Sequence, residues 1–465
     1  MVIQTIANVF KIDELRNKIL FTLGMLVVYR IGFWIPLPGV NQAQLRDWFE
    51  RASAEGGAAT RVAEYVAIFS GGSFGQSTIF GLGIMPYISA AIIFQLLGGV
   101  VPALKALKDE GPTGQQKLQE WTRYVTVALC IFQAVSWLTF MRQAGMVYST
   151  WANNPLWWLM ATAALTSGTI FLMWLGEQID RYGIGNGVSL IIMAGILTGM
   201  PGAFVSVWRN FDPADSEKMG WLGLILLAGG FVLVVAGSVV ITVAQRRVPI
   251  QQAKHTRGRK VFGGQRSYLP LRINHGGVMP IIFASSLMMF PSVLFSSLHS
   301  SLKSADVAPM WVTLTGWLSD NFAMGEFPYV LLYIVMVYFF SYFWITVQFN
   351  PEEMAKQLRD HGSFIPGLRP GPRTAEYIET VMERITFVGA AFLSIIAVLP
   401  MVVNRSLNID FAVTQFLGGT GLLIVVSVAL DFLQRVEASL LMRNYKGFLG
   451  GQDEGRGPRL RGPAF

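Results

Sequence analysis

The hexapeptide Gly83-Ile84-Met85-Pro86-Tyr87-Ile88 has a near copy far down the chain, Gly277-Val278-Met279-Pro280-Ile281-Ile282. Each copy sets Gly and Pro inside a long apolar stretch, where freed backbone groups must be satisfied by neighbouring protein or a water-filled cavity. Around the two copies, apolar runs of roughly 18 residues or more, enough to cross about 30 Å of hydrocarbon as helix, recur along the chain. They lie at about 19–38, 77–101, 124–141, 156–176, 188–207, 220–243, 276–298, 328–348, 385–404 and 411–430. These ten runs predict ten membrane-spanning helices: a span in lipid must satisfy its own backbone, and the weaker alternating pattern of a barrel is absent. The copies fall in the second and seventh runs, the same rank in each group of five. Two groups with an odd number of spans have opposite orientation, the arrangement of an inverted repeat, and interrupted helices at matched positions point to a pathway between the halves. Chance similarity of short apolar strings is the alternative.

Composition agrees with a bilayer. The 465 residues are 52% hydrophobic and 14% charged, with a mean hydropathy of +0.47, far from soluble averages. Cys130, the only cysteine, lies in the third run, so no intramolecular disulfide is possible. The basic N-terminus before an apolar run superficially resembles a signal peptide, but the run is too long, contains Arg30 and lacks a small-residue cleavage site, so it is expected to be retained. Residues 1–18, with Ile6, Val9, Phe10 and Ile12 between polar positions, read as a short amphipathic segment on the cytosolic membrane surface. With that terminus cytosolic, inside segments hold 27 of the 36 Lys and Arg and outside segments 8, with Arg30 inside a span. This positive-inside bias puts both termini in the cytosol. The expected organisation is an N-terminal half over 19–207, a C-terminal half over 220–430 and a cytosolic tail over 431–465, rich in Gly and Arg from Gly447 and expected to be disordered.

Two cytosolic loops are larger than topology requires. The one at about 244–275 carries Arg246, Arg247, Lys254, Arg257, Arg259, Lys260, Arg266 and Arg272 with no Asp or Glu. Basic at its tip, it suits an anionic partner such as ribosomal RNA, or serves topology and anionic lipid alone. The loop at about 349–384 mixes charges and ends in Phe364-Ile365-Pro366-Gly367-Leu368-Arg369-Pro370-Gly371. Pro and Gly there fix the loop tip, so Arg369 is presented with little ordering cost to a docking protein, or is an ordinary solvated arginine.

Within the spans, Ile84 and Ile88 are four apart and share a helix face, with Gln95 near it. Gln95 in the second run and Gln133 in the third are either interhelical hydrogen-bonding groups that hold spans together or parts of a functional polar cluster, which Ser285 and Ser286 would complete. Arg30 is expected near the outer interface in a structural contact, since an arginine at mid-bilayer costs roughly 2.5–3.5 kcal/mol on insertion scales. No apolar-embedded Asp or Glu offers a proton or ion relay. His255, His275, His299 and His361 are scattered, and the chain has no His-Glu-x-x-His, no P-loop and no dinucleotide fingerprint. Hydrolytic or ATP-splitting activity, a metal and a cofactor are not expected. An inverted-repeat secondary transporter of small solutes would also fit ten interrupted spans, but it calls for ionisable or carbonyl-rich groups at midplane and gives the two loops no task. An insertase-like helper without a pore is weakened by the repeated Gly-Pro breaks.

The motifs in sequence order are Tyr29-Arg30-Ile31-Gly32 with Ile35-Pro36-Leu37-Pro38-Gly39, Phe69-Ser70-Gly71-Gly72, Gly81-Leu82-Gly83-Ile84-Met85-Pro86-Tyr87-Ile88, Gly183-Ile184-Gly185-Asn186-Gly187, Gly264-Gln265 before Tyr268-Leu269-Pro270-Leu271, and the 364–371 turn. Together, over about 10–448, they strongly resemble the SecY family. The resemblance implies an all-α, ten-helix polytopic protein whose two inverted five-helix halves form an hourglass channel. That channel would be the central pore of the Sec translocon in the bacterial inner membrane, conducting unfolded preproteins and releasing signal peptides and membrane helices sideways into lipid. It implies a pore ring of Ile84, Ile88, Ile192, Ile282 and Ile424, and a plug over about 61–75 containing Val66, Ile68, Phe69, Gly71 and Gly72. It also implies a lateral gate of spans two, three, seven and eight with Gln95, Gln133 and Ser286 as its polar cluster. Arg259, Lys260 and Arg369 would dock the SecA motor or the ribosome with its RNA. The implied partners further include the small membrane subunits SecE and SecG, YidC and membrane lipids.

Overall fold

The computed structural model describes residues 12–45, 47, 77–152, 154–211, 220–252, 255–257, 260–262, 266–304, 309–322, 326–407 and 420–449. In chain order the N-terminal half contains α1 (Asp13–Gly32), α2 (Met85–Val100), α3 (Pro102–Asp109), α4 (Pro112–Gln143), α5 (Pro155–Tyr182) and α6 (Gly187–Asn210). The C-terminal half begins with α7 (Trp221–Val243) and the strands β1 (Gln245–Gln252), β2 (His255–Arg257), β3 (Lys260–Phe262) and β4 (Arg266–Arg272). It continues with α8 (Met279–Ser304), α9 (Pro309–Asn321), α10 (Phe327–Gln348), α11 (Pro351–Asp360), β5 (Ser363–Phe364), α12 (Pro372–Leu407) and α13 (Thr420–Leu449). Every one of the ten expected spans carries a helix. Six described helical segments are long and apolar enough to cross a membrane: Pro112–Arg142, Pro155–Tyr182, Gly187–Arg209, Trp221–Val243, Phe327–Asp360 and Pro372–Val403.

The halves repeat each other in their packing. In the first, α1 packs on α5 and α6, α2 on α4, α4 on α5, and α5 on α6. In the second, α7 packs on α12 and α13, α8 on α10, α10 on α12, and α12 on α13. Taken by rank among the spans, these are the same pairings, which is how a duplicated five-helix unit packs; five being odd, the second copy runs the opposite way through the bilayer. An ion pair from Arg123 Nη2 to Glu177 Oε1 at 2.8 Å ties α4 to α5 at one end of the first unit.

The Gly-x-Met-Pro copies correct one expectation. They do not interrupt helices; they start them. Gly83 and Gly277 have φ of 58° and 57°, a left-handed turn that favours glycine, and the helices begin two residues later at Met85 and Met279. Pro86 then falls in the first turn, where its missing N–H breaks no helical bond. The second apolar run is therefore helical only from Met85, and residues 77–84 form turns buried against the middle of α5. There Leu37 N donates to Ser77 O at 2.9 Å, Ile79 N to Ile35 O at 3.1 Å, and Thr169 Oγ1 to Gly83 O at 3.2 Å. Non-helical backbone is tolerated at membrane depth only where protein or a cavity supplies such partners.

The two long loops form one body. β1 pairs antiparallel with β4, from Gln245 opposite Arg272 to Gln251 opposite Arg266, and β5 of the other loop adds to the free edge of β1 through Gln251 opposite Phe364. Val248 and Leu271 are buried with Phe349, Ile365, Ile378 and Val381 in a common core. His275 closes this layer with its ring edge on Phe349, and burial together with the nearby Arg272 holds its pKa below the ordinary imidazole value. At the chain's other end, α13 continues helical to Leu449, past the start expected for a disordered tail.

Gly168 of α5 lies so close to the 77–84 turn that an added Cβ would meet the carbonyl oxygen of Ile79, whereas Gly229 of α7 has open space. Gly168→Ala should therefore destabilise the protein by about 1–3 kcal/mol, as overpacking does, and lower the midpoint of thermal unfolding in detergent followed by size exclusion. Gly229→Ala should leave the midpoint unchanged or raise it.

Candidate functional site

Four helices from both halves bring isoleucines to one place. Ile84 is the residue before α2 and Ile88 lies in its first turn. Ile192 is the sixth residue of α6, Ile282 the fourth of α8 and Ile424 the fifth of α13. All five belong to one buried cluster, with exposures of 2%, 7%, 8%, 4% and 2% in that order. Local sequence sets each in place. The Gly-Met-Pro starts put Ile84, Ile88 and Ile282 at the heads of α2 and α8. For Ile192, Asp180 Oδ1 accepts from Gly187 N at 2.8 Å and Asn186 Oδ1 accepts from Ser189 N at 3.0 Å, so α6 starts abruptly after α5. An added Cβ on Gly187 would meet the backbone of Gly176, which explains the glycine in Gly183-Ile184-Gly185-Asn186-Gly187.

The surroundings are apolar throughout. Tyr29, Phe33, Phe80, Leu172, Leu175 and Ile179 are buried behind the isoleucines, with Tyr29 edge-on to Phe33 at 4.8 Å and Phe33 edge-on to Phe80 at 5.9 Å. The isoleucines of this cluster offer their neighbours only dispersion contacts and no hydrogen bond.

The pairs α2–α4 and α8–α10 are each packed more closely within themselves than to the other. Ser285 Oγ lies 3.0 Å from Tyr333 Oη, and Phe283 stacks on Phe340 at 5.3 Å and tilts on Trp344 at 5.6 Å. Ser285, one of the serines expected beside Gln95 and Gln133, is thus committed to α10. Gln95 and Gln133 are half-buried on the neighbouring helices α2 and α4, and among the described residues no hydrogen bond joins them. Ser286 lies on α8; its side chain is outside the described residues. Ile92, Phe231, Val278 and Met279 pack against both the isoleucine cluster and the Phe283 core.

The plug positions Val66, Ile68, Phe69, Gly71 and Gly72, and Arg259, lie outside the described residues. Lys260 opens β3 and is paired with Arg257 of β2 in antiparallel register. Arg369 is exposed on a braced tip: Gly367 and Gly371 have φ of 88° and 129°, Leu368 N donates to Ile365 O at 3.1 Å, and Thr374 Oγ1 donates to Arg369 O at 3.0 Å. Arg30 is exposed, its guanidinium 5.7 Å from the centroid of the Phe33 ring. The β ribbon joining the loops escaped the reading by charge, although the burial of Val248 and Ile250 on one face of β1 is the alternation that signals a strand.

Comparison with known proteins agrees with this arrangement. The family model described as SecY matches residues 78–433. The "Protein translocase subunit SecY" of Chlamydia muridarum is 38% identical over 462 residues, covering 96% of this chain and 98% of that protein. Its counterpart in Streptomyces coelicolor is 40% identical over 459 residues, covering 95% and 99%. The solved structure described as "The structure of a protein conducting channel" superposes with a TM-score of 0.59 at 18% identity, covering 94% of this chain and 95% of that one, which is a likeness of fold. The chain is a multi-pass membrane protein and belongs to the SecY family.

Proposed function

We propose that this chain is the central pore of a Sec translocon, passing unfolded preproteins through the isoleucine collar and releasing signal peptides and membrane helices sideways between the α2–α4 and α8–α10 pairs. The observation that carries this reading is the single buried cluster of Ile84, Ile88, Ile192, Ile282 and Ile424, drawn from helices of both halves. Aliphatic side chains with one preferred χ1 form a stiff, dry seal that reforms without a specific partner. Lateral release follows from the same packing. The Ser285–Tyr333 contact and the Phe283–Phe340 stack make α8 and α10 move together, α2 and α4 pack as a second unit, and the apolar seam between them exchanges protein contacts for lipid contacts at little cost.

The membrane in this reading is the bacterial inner membrane, with both termini and the β layer in the cytosol. In this reading Arg259 and Lys260 of the basic loop, and Arg369 on its braced turn, meet the SecA motor or ribosomal RNA by charge. Residues 61–75 close the pore from the far side, Gln95, Gln133 and Ser286 tune the gate, and SecE, SecG and YidC are the membrane partners. The energy for transport comes from the docked partner or the membrane gradient.

Ile84→Gly combined with Ile282→Gly should raise the resting ion conductance of proteoliposomes or planar bilayers. Unchanged conductance with intact assembly removes the collar from the account. Arg369→Glu should slow SecA-driven uptake into proteoliposomes by roughly tenfold, or ~1.4 kcal/mol, while membrane insertion is less affected. Equal loss of both activities would indicate misfolding in place of a docking defect.

A further inference from the structure

Helix α9, between α8 and α10, has its apolar side outward. Met310, Trp311, Leu314 and Trp317 are 71%, 51%, 46% and 60% exposed, while Thr315 is 6% exposed. Thr315 is directed at the protein: its Oγ1 donates to Trp311 O at 2.8 Å and lies 3.5 Å from His299 Nδ1 of α8. A helix bathed in water puts its large apolar residues in; α9 puts Met310, Trp311, Leu314 and Trp317 out, beside exposed Thr313 and Asp320, and turns Thr315 in. It is nonetheless firmly seated, packing on both α8 and α10, with Phe322 just after it against Phe295 at 5.1 Å.

The chain path says which surface it meets. The β layer precedes the start of α8 and follows the end of α10, so α9, which joins their other ends, lies at the opposite face of the membrane. Its outward side continues the lipid-facing surface of those helices, where Leu298, Phe327 and Leu331 are 41%, 75% and 54% exposed. Two tryptophans on that side suit the boundary between headgroups and acyl chains, where an apolar ring and a polar N–H are both satisfied. Residues 309–321 contain no Lys or Arg, so the attraction is to the apolar boundary and not to headgroup charge.

We propose that α9 is an interfacial anchor, lying in the headgroup–acyl boundary of the leaflet opposite the β layer with Trp311, Leu314 and Trp317 in lipid. It thereby tethers α8 and α10, the second wall of the gate, to that leaflet. Lipid packing in one leaflet then bears directly on how readily that wall moves.

The test places a nitroxide at Leu314→Cys, Trp317→Cys or Asp320→Cys in the full chain, reconstituted into nanodiscs of phosphatidylethanolamine and phosphatidylglycerol. Cys130 is fully buried and stays unlabelled. The proposal expects labels at 314 and 317 to collide with oxygen in preference to a water-soluble nickel chelate, with the order reversed at 320, and no change on adding salt. Chelate access at 314 and 317 equal to that at 320 would place the helix in water and overturn it. Shielding from both reagents would mean that protein covers the face, and would overturn it equally. Met310→Cys gives the same readout should either central substitution prevent assembly.

Discussion

A backbone amide in the interior of a membrane protein has no water to turn to, and residues 77–84 leave the helical state at the depth of the middle of α5. Everything at the candidate site rests on how that segment is satisfied. Gly168 lets its backbone reach the helix, Thr169 donates to the carbonyl of Gly83, and the strand-like stretch at Ile35 to Leu37 takes two more bonds. Once those groups are paired, α2 can begin partway across the membrane. A helix that crossed the whole bilayer would carry Ile84 and Ile88 along its flank; beginning at Met85, it delivers them at its head.

The duplicated packing extends this logic to the rest of the molecule. The same left-handed glycine two residues before a Met-Pro start places Ile282 at the head of α8 as it places Ile84 at the head of α2. Ile192 of α6 and Ile424 of α13 complete the cluster, and α6 and α13 themselves pack together across the halves. Contact between the two halves at the cluster is aliphatic, whereas helices are joined by an ion pair in the first half and by a hydroxyl contact and stacked rings in the second. Under thermal motion or the binding of a partner, such a molecule parts most easily between its halves, which is the motion a conduit with a lateral exit requires.

Much of the fold was legible from hydropathy because lipid allows few alternatives: each of the ten apolar runs carries a helix. Where the reading went astray, local chemistry explains it. Apolar residues 77–84 look like part of a span, and only the tertiary bonds to α5 and to Ile35 reveal that they are turns. Val248 and Ile250 alternate as a strand should, but the arginines and glutamines around them read as a solvated loop, and the partner strand β5 comes from a loop a hundred residues away. Helix α9 fell between spans because its thirteen residues are too few to cross. The five isoleucines could be assigned only by family resemblance, since an isoleucine in a span is ordinarily packing; their convergence on one cluster depends on how four helices pack together, which periodicity within one helix cannot supply.

The central claim is that a translocating chain passes through the isoleucine cluster. A photoreactive side chain placed at Ile282 or Ile424, with a preprotein stalled partway, tests it most directly. The account predicts adducts between the stalled chain and both positions and none from Leu226, which faces outward on α7. Uptake that proceeds with no adduct at either isoleucine, or with adducts at Leu226 in their place, would contradict it.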